Sequence, residues 1–401
     1  MNILFLSIGR LDDLTQNSLY PDLLREIQSH GHNVYAVSPL EKRFNKETCL
    51  SKEAGIEILR VKIGNIQKTN VIEKGISTLL IESQFKNAIK KYFSDVKFDL
   101  VIYSTPPITF ANVIKFVKKR DGARSYLLLK DIFPQNAVDL GMFSKKSPIY
   151  KFFRNKEKSL YNLSDHIGCM SQANVDFVLN HNPYVDAKKV HISPNSVEFL
   201  DKNIDAETKE SIRKKYGVPT DKKVFIYGGN LGRPQDIPFV IECLKANKGK
   251  DDRFFIICGT GTEYAKLKAY AETKKQENVL IINGLPKDEY ETFVASADVG
   301  LIFLDHRFTI PNCPSRMLSY MQNKMPVIAC TDKATDIGAI IENGGFGWWC
   351  ESTDADEFVK VCDAACSADL VQMGEKAKAY LKENYSVKCS YDIIMEAIEC
   401  E

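Results

Sequence analysis

Short, almost uninterrupted apolar runs alternate with amphipathic stretches from the N-terminus onward. The runs NILFLSI, NVYAVSP, IEILRVKI, FDLVIYSTPP and ARSYLLLKDIFP read as strands. Between them, SLYPDLLREIQSHGH and GISTLLIESQFKNAIKKYF read as helices, the first ending near Gly31. A strand that is apolar at nearly every position has both faces covered, the mark of a parallel sheet with helices on each side. After KVHISPNSVEF and a charged connecting segment, DKNIDAETKESIRKKYGVPTDK, the pattern restarts. KVFIYGGNLG, FFIICGTGTEY, NVLIINGLP, VGLIFL and PVIAC each precede a helical pattern. The chain therefore reads as two doubly wound, Rossmann-like α/β domains with a boundary near residues 196–205. The last stretch, SVKCSYDIIMEAIEC, is an amphipathic helix with no strand after it.

Length agrees with this division, since 401 residues exceed what one ordinary core holds. The net charge of +2 provides no field that would gather nucleic acid, so none is expected as a partner. Eleven cysteines, an odd number without a CxxC pair, read as reduced cytosolic thiols. Cys362 and Cys366 fall at helical spacing, but no second pair completes a metal set. The start MNILFLSIGR has the wrong length and flanks for a signal peptide. No run approaches the roughly 18 apolar residues of a membrane span, so any membrane contact is expected to be peripheral.

Two tandem open sheets are expected to leave a cleft between them, with ligands held beyond the carboxyl ends of the strands. In the second half those positions are Gly228-Gly229-Asn230-Leu231-Gly232-Arg233, Gly259-Thr260-Gly261 and Asn283-Gly284-Leu285-Pro286. Glycines there let backbone approach a ligand, although each could equally serve a tight turn. The stretch RFTIPNCPSRMLSYMQNKMPVIA adds a proline-clamped turn ahead of a helix expected over Arg316 to Asn323. Pro314 favours an extended residue before it, Ser315 is a suitable N-cap, and Ser319 lies one turn further on the same face. Free N–H groups at the helix start, with the charge of Arg316, suit a phosphate. Most serine N-caps bind nothing; alignment with the glycine turns is what sets this one apart.

At these residues the chain resembles a GT-B glycosyltransferase of the retaining family 4 type, in the subgroup that builds bacterial capsule, exopolysaccharide or O-antigen. The resemblance covers nearly the whole chain and rests on SDHIGCMSQANVDFVL, KKVHISPNSVEF, YGGNLGR, FIICGTG, NVLIINGLP, SADVGLIFL and PSRMLSYMQNKMPVIA. It implies residues 1–198 as an acceptor-binding domain, joined by a C-terminal helix, 386–401, that crosses back onto it. Residues 199–385 would hold the nucleotide sugar, with UDP favoured. Gly232-Arg233 and Pro314-Ser315-Arg316 would meet the diphosphate, and Asn283 to Pro286 the base. The implied acceptor is a polyprenyl-diphosphate-linked saccharide, which places the enzyme in the cytoplasm at the inner face of the plasma membrane. Many members carry two glutamates with seven residues between them; the matching positions here are Pro311 and Ser319, so the ribose contact is expected to be weaker. Gln235 stands where a lysine often follows the Gly-Arg turn.

In the first half, Ser7-Ile8-Gly9-Arg10 follows the first strand, and Gly9 would allow backbone approach. Ser104 and Thr105 precede Pro106-Pro107 at another strand end, where a plain turn is the favoured reading. The segment Lys130-Asp131-Ile132-Phe133-Pro134-Gln135-Asn136 resembles the subgroup's Asp-aromatic-Pro signature. Asp131 is the candidate carboxylate beside the reacting sugar or acceptor hydroxyl, balanced against a loop-ordering role. Breaking a sugar–phosphate bond builds negative charge on the diphosphate, which Arg233 and Arg316 would stabilise. No cofactor is implied, and with no convincing Asp-x-Asp motif, metal-independent transfer is expected. KKSPIYKFFRNKEK, with six basic residues against one acidic, is the candidate for contact with an anionic membrane surface, supported by FKNAIKKYF and KFVKKR. A solvated helix face is its bland alternative. Among the six histidines only His306 lies near the proline-clamped turn. Two other functions share this fold: a sugar-nucleotide 2-epimerase, for which the sequence places no acid/base pair, and a non-catalytic binding subunit.

Overall fold

The structure, a computed structural model, describes residues 1–201, 204–274 and 276–399. The chain divides into two compact units. One spans Met1–Glu198 with the C-terminal stretch from Ser386, and the other spans Phe199–Tyr385. Residues 400 and 401 of the expected terminal helix, and 202 and 203 of the expected connecting segment, lie outside the described residues.

The first unit holds β1 (Asn2–Leu6), β2 (Asn33–Glu41), β3 (Cys49–Glu53), β4 (Ile56–Ile63), β5 (Leu100–Ser104), β6 (Arg124–Leu129), β7 (His166–Cys169) and β8 (Val190–Ile192). Among the described residues they form one sheet in the order β3-β4-β2-β1-β5-β6-β7-β8. Every pair is parallel except β3 with β4, where Cys49 faces Arg60. The hydrophobic pattern does not announce β3, because CLSKE lies at the sheet edge with no fully buried position. β5 is buried along its whole length, as its unbroken apolar run requires. The helix Leu19–Ser29 lays Leu23, Leu24 and Ile27 on the sheet, and the terminal helix Val387–Glu399 adds Ile394, Met395 and Ile398 to the same core. The Val387 N–H donates to the Val197 carbonyl at 3.0 Å, which anchors that helix to the first unit.

The second unit holds β9 (Lys223–Asn230), β10 (Arg253–Thr260), β11 (Val279–Ile282), β12 (Val299–Phe303), β13 (Val327–Thr331) and β14 (Gly347–Glu351). Among the described residues they make a parallel sheet in the order β11-β10-β9-β12-β13-β14. β14 is absent from the sequence reading because GWWCE, at an edge, is mostly half-buried. The segment read as a connector contains a helix, Ala206–Lys215, capped by Asp205. Its Arg213 donates to the Ser296 carbonyl at 2.9 Å and to Asp298 at 2.7 Å, so a highly charged sequence is tied down by ion pairs rather than by an apolar face. The ten described cysteines are free thiols. No helix among the described residues is long and apolar enough to cross a membrane.

Candidate active site

In the second unit, the carboxyl ends of the strands build a cage around a cation. A Cβ on Gly228 would fall 1.7 Å from the Tyr290 hydroxyl, and one on Gly300 would fall 2.2 Å from the Tyr320 ring. The absence of side chains at these two positions thus admits two tyrosines beside the end of β9. The Tyr320 hydroxyl donates to the Leu301 carbonyl at 3.1 Å and accepts from the Gly228 N–H at 3.3 Å. Burial pushes the hydroxyls of Tyr227, Tyr290 and Tyr320 up, so all three are neutral at physiological pH. Among them lies Arg316, its guanidinium 4.2 Å above the centre of the Tyr227 ring and 3.4 Å from where a Cβ on Gly229 would sit. Gly229 is exposed and holds φ at +131°, a conformation open to glycine alone without strain. Arg316 Nη1 is buried and has no hydrogen-bond partner. A guanidinium cannot shed its charge, and an unsatisfied charged donor costs more than the roughly 1–3 kcal/mol of a neutral one. The cage is therefore a site that an anion would complete.

The adjoining turn is rigid. Gln235 Oε1 accepts from the Asn230 side chain at 3.0 Å and from the Gly232 N–H at 3.1 Å. The Asp305 N–H, just beyond β12, donates to the Pro234 carbonyl at 2.9 Å. Arg233 stands exposed on this turn. Beside it, Asp236, Asp305 and His306 bring three potential ligand atoms within 4.8 Å of one another. Asp305 is already committed: burial opposes its charge, but Arg307 Nε bonds its two oxygens at 2.9 and 3.1 Å and holds the carboxyl below its ordinary range. Burial and Asp305 push Asp236 up. His306 Nδ1 sits 3.6 Å from Asp236, which makes it a partner of this acidic pair.

Several expectations change on the structure. Ser315 precedes the helix but has helical backbone angles and makes no capping bond, so it is not a side-chain cap. The helix spans only Arg316–Gln322, too short for a strong terminal dipole, and the side chain of Arg316 rather than the helix end carries the positive charge. The Ser319 carbonyl receives the Asn323 N–H and side chain at 3.3 and 2.8 Å. Gly259 is buried, and a Cβ there would meet the Gly229 carbonyl oxygen at 1.9 Å; one on Gly261 would meet that of Leu231 at 2.2 Å. These two glycines let β10 close against β9, so backbone packing accounts for them. Asn230 and Asn283 are exposed, while Gly284, with φ at +68°, and Leu285 are half-buried ahead of Pro286. Pro314 is half-buried directly before the cage.

The strand ends of the first unit are arranged differently. Asp131 follows β6, and its backbone is fixed by Thr105 Oγ1, which accepts from the Lys130 and Asp131 N–H groups at 3.0 and 3.2 Å and donates to the Asp131 carbonyl at 3.0 Å. Asn136 Nδ2 donates to both carboxylate oxygens, at 2.8 and 3.0 Å. Burial nevertheless pushes the Asp131 carboxyl up to about 6, against the bonds from Ile132 and Asn136. Asp131 thus orders its loop and also holds a proton affinity suited to acid–base work. Gly9 N–H donates to Ser7 Oγ at 2.9 Å, and Arg10 turns away to Asp12 and the Phe44 ring.

The basic segment forms the helix Pro148–Leu163 and is split in two by its burial. Phe153 packs on Phe133 with ring centres 4.9 Å apart, and Glu157 is buried with Arg154 and Tyr161. Ile149 and Phe152 face outward. In KFVKKR, Lys118 pairs with Asp165 and Arg120 with Asp121, so those two charges are structural. Sequence reasoning missed the tyrosine cage and the Asp236–Asp305 pair, and gave Asn136 no role of its own within the Asp-aromatic-Pro signature. The glycines opposite the tyrosines were visible, but which ring fills each niche depends on contacts far apart in the chain.

Residues 208–384 match the family model described as Glycosyl transferases group 1. The chain is 24% identical over 337 residues to the probable glycosyltransferase WbjE of Pseudomonas aeruginosa, covering 81% of this chain and 80% of that one. It is 22% identical over 253 residues to the putative colanic acid biosynthesis glycosyl transferase WcaI of Escherichia coli (strain K12), covering 61% and 60%. Its fold is similar to that of Anabaena Alr3699/HepE, solved in complex with UDP, with a TM-score of 0.68 and 15% identity over all of both chains. It is also similar to WaaG, a glycosyltransferase involved in lipopolysaccharide biosynthesis, with a TM-score of 0.65 and 13% identity over 98% of both. The fold is GT-B, built from two Rossmann-like units.

Proposed function

We propose that this glycosyltransferase, with its group 1 domain over residues 208–384, moves a sugar from a UDP-sugar to a lipid-linked saccharide in the assembly of a bacterial surface polysaccharide. The observation that carries the reading is Arg316, half-buried in its tyrosine cage at the end of β9, whose Nη1 is buried without a hydrogen-bond partner. A nucleotide diphosphate is an anion of suitable size and charge, and Arg316, Arg233 and the Gly229 and Gly232 backbone would receive it. The UDP bound in the Anabaena neighbour favours uridine. WcaI, named for colanic acid biosynthesis, and a third relative, the putative teichuronic acid biosynthesis glycosyltransferase TuaC of Bacillus subtilis (strain 168), favour polysaccharide assembly.

Transfer breaks the bond from the sugar's anomeric carbon to the phosphate oxygen, and the electron pair leaves with the diphosphate. A bond forms from an acceptor hydroxyl to the same carbon, on the same face, and the departing phosphate takes the hydroxyl proton. Before transfer, ionised Asp131 accepts that hydroxyl's hydrogen bond and so orients its oxygen; the same proton turns to the departing phosphate as the new bond forms. In this reading the second unit binds the donor and the first the acceptor. No resident metal is needed, because the arginines supply the charge that a divalent ion would.

The proposed place of work is the inner face of the plasma membrane. Met142, Ile149 and Phe152 are 44 to 63% exposed, as are Ile76, Leu79 and Leu80 of the helix Val71–Tyr92. Lys156 and Glu82, 4.0 Å apart, link the two helices. Lys145, Lys146 and Lys151 are exposed around these apolar side chains, while Glu82 and Glu157 are buried, so the outward charge is positive. Such a surface suits anionic lipid. Flotation with phosphatidylglycerol vesicles at low salt should carry the protein upward, and a Phe152→Ser, Leu79→Ser variant should stay at the bottom.

The decisive test is thermal stability of the purified protein with UDP, GDP, CMP or ADP in EDTA. UDP alone should raise the melting temperature, since a ligand of the folded state stabilises it. No rise with any nucleotide would favour a non-catalytic binding subunit. A rise that needs magnesium or manganese would overturn metal independence. Conversion of a UDP-sugar to its 2-epimer without acceptor would favour the epimerase.

A further inference from the structure

We propose that Asn136 is a positioning residue, which locks the Asp131 carboxylate in the orientation and ionised state that acceptor activation requires; the proposal rests on the role of Asp131 given above. One amide nitrogen reaches both carboxylate oxygens, at 2.8 and 3.0 Å. The other end of the same amide, Asn136 Oδ1, is buried and has no hydrogen-bond partner. A buried carbonyl left unpaired is costly, and an apolar side chain would avoid that cost. An amide that leaves its oxygen unsatisfied in order to donate to a carboxylate is therefore held for the carboxylate's sake. The two bonds fix rotation of the carboxylate about its own axis, and the backbone bonds from Thr105 fix its base. A donor to the ionised form also favours ionisation.

The charged groups on the elements around Asp131 are occupied elsewhere. Lys130 Nζ donates to the Ser193 carbonyl at 3.1 Å, and Asp139 accepts from Gln135 at 2.6 Å. Thr105, from the loop after β5, offers a neutral hydroxyl. Burial raises the carboxyl's proton affinity, and the Asn136 amide is the side chain that opposes it.

The test compares Asn136→Leu, Asn136→Ser and Asp131→Asn in the full chain. In the wild type, kcat/KM for transfer should rise with pH through about 6. Asn136→Leu should move that limb upward by about one pH unit, since it removes the side-chain donor that favours the ionised form. Activity then falls about fivefold near pH 6 and little at pH 8. Asn136→Ser should lie between the two. Carbon-13 titration of the Asp131 side-chain carboxyl, assigned by its absence from Asp131→Asn, reads the same shift without turnover, so it survives a variant that loses activity. If Asp131→Asn abolishes the limb while Asn136→Leu leaves both the limb and the carboxyl titration in place, Asn136 has no positioning role and Asp131 keeps its own. If Asp131→Asn leaves turnover and the limb unchanged, the reading of Asp131 fails, whatever Asn136 does to the titration.

Discussion

The strand ends of the two sheets handle charge in opposite ways. In the second unit a permanent cation, Arg316, lies half-buried among neutral tyrosines, with one nitrogen buried and unsatisfied. In the first, the half-buried carboxyl of Asp131 lies against a neutral amide, and desolvation raises its proton affinity to about 6. A fixed cation without a counterion is incomplete at every pH, and an anion completes it. A carboxyl that can lose or keep its proton is complete in either state and chooses between them by pH. Among the described residues, two different doubly wound sheets, one mixed and eight-stranded and one parallel and six-stranded, thus end in a titratable carboxyl in the first unit and an unsatisfied cation in the second. The difference is legible from what each buried group lacks.

The largest effect should follow from Arg316→Met, which keeps the volume and removes the charge. Affinity for UDP should fall about 10²- to 10³-fold, the loss of one or two charge-assisted bonds of roughly 1.5–3 kcal/mol each. Without nucleotide, the variant should melt no lower than the wild type, because removing a buried unpaired charge relieves a desolvation cost. Calorimetric titration with UDP and a melting curve of the free protein read the two halves. A melting temperature that drops sharply while UDP affinity persists would make Arg316 a structural residue and erase the contrast between the units.

Next in size is Asp131→Asn. Turnover should fall about 10- to 10²-fold, the loss of one hydrogen bond to a charged group worth roughly 1.5–3 kcal/mol, with little change in UDP affinity. Stability supplies an independent reading. The folded carboxyl sits near 6, above its ordinary value of 3.8, so the folded state binds the proton more tightly than the unfolded one. The resulting stabilisation is full below pH 4 and is lost as pH rises through 6. Asp131→Asn removes that dependence, so it should gain stability relative to wild type at pH 8 by about 1–3 kcal/mol compared with pH 4. A difference between the two proteins that does not vary with pH would show that Asp131 is not the raised group.

How much of this was open to the sequence follows from where each signal resides. Strands such as LVIYS and VGLIF are buried along their whole length, and period and composition betray them. The edge strands β3 and β14 carry mixed polarity, so nothing local marks them. Arg316 and Asp131 stood out because they follow strands, where open sheets place ligands. Their partners did not. The niches at Gly228 and Gly300 accept rings from Tyr290 and Tyr320, and sequence alone does not say which ring enters which niche. Glycine is ambiguous for the same reason. Gly229 beside the cage and Gly259 against the Gly229 carbonyl read alike in a string, yet one borders the site and the other closes the sheet.

The smallest effect, and the one that sharpens the contrast most, belongs to Arg233. It carries the same charge as Arg316 and sits on the neighbouring turn, but it is exposed. Water and salt screen an exposed cation, so its contact with a diphosphate is worth only about 0.2–1 kcal/mol. Arg233→Ala should weaken UDP binding by about two- to fivefold. That loss should shrink as salt is raised, because the screening length falls below the distance at which an exposed charge acts. The loss from Arg316→Met should persist better across the same salt series, since a half-buried charge is screened less than an exposed one. If instead the two arginines lose affinity equally and with the same salt dependence, burial confers nothing on Arg316. The cation would then act at the surface, and the unsatisfied nitrogen would be a packing defect rather than a site.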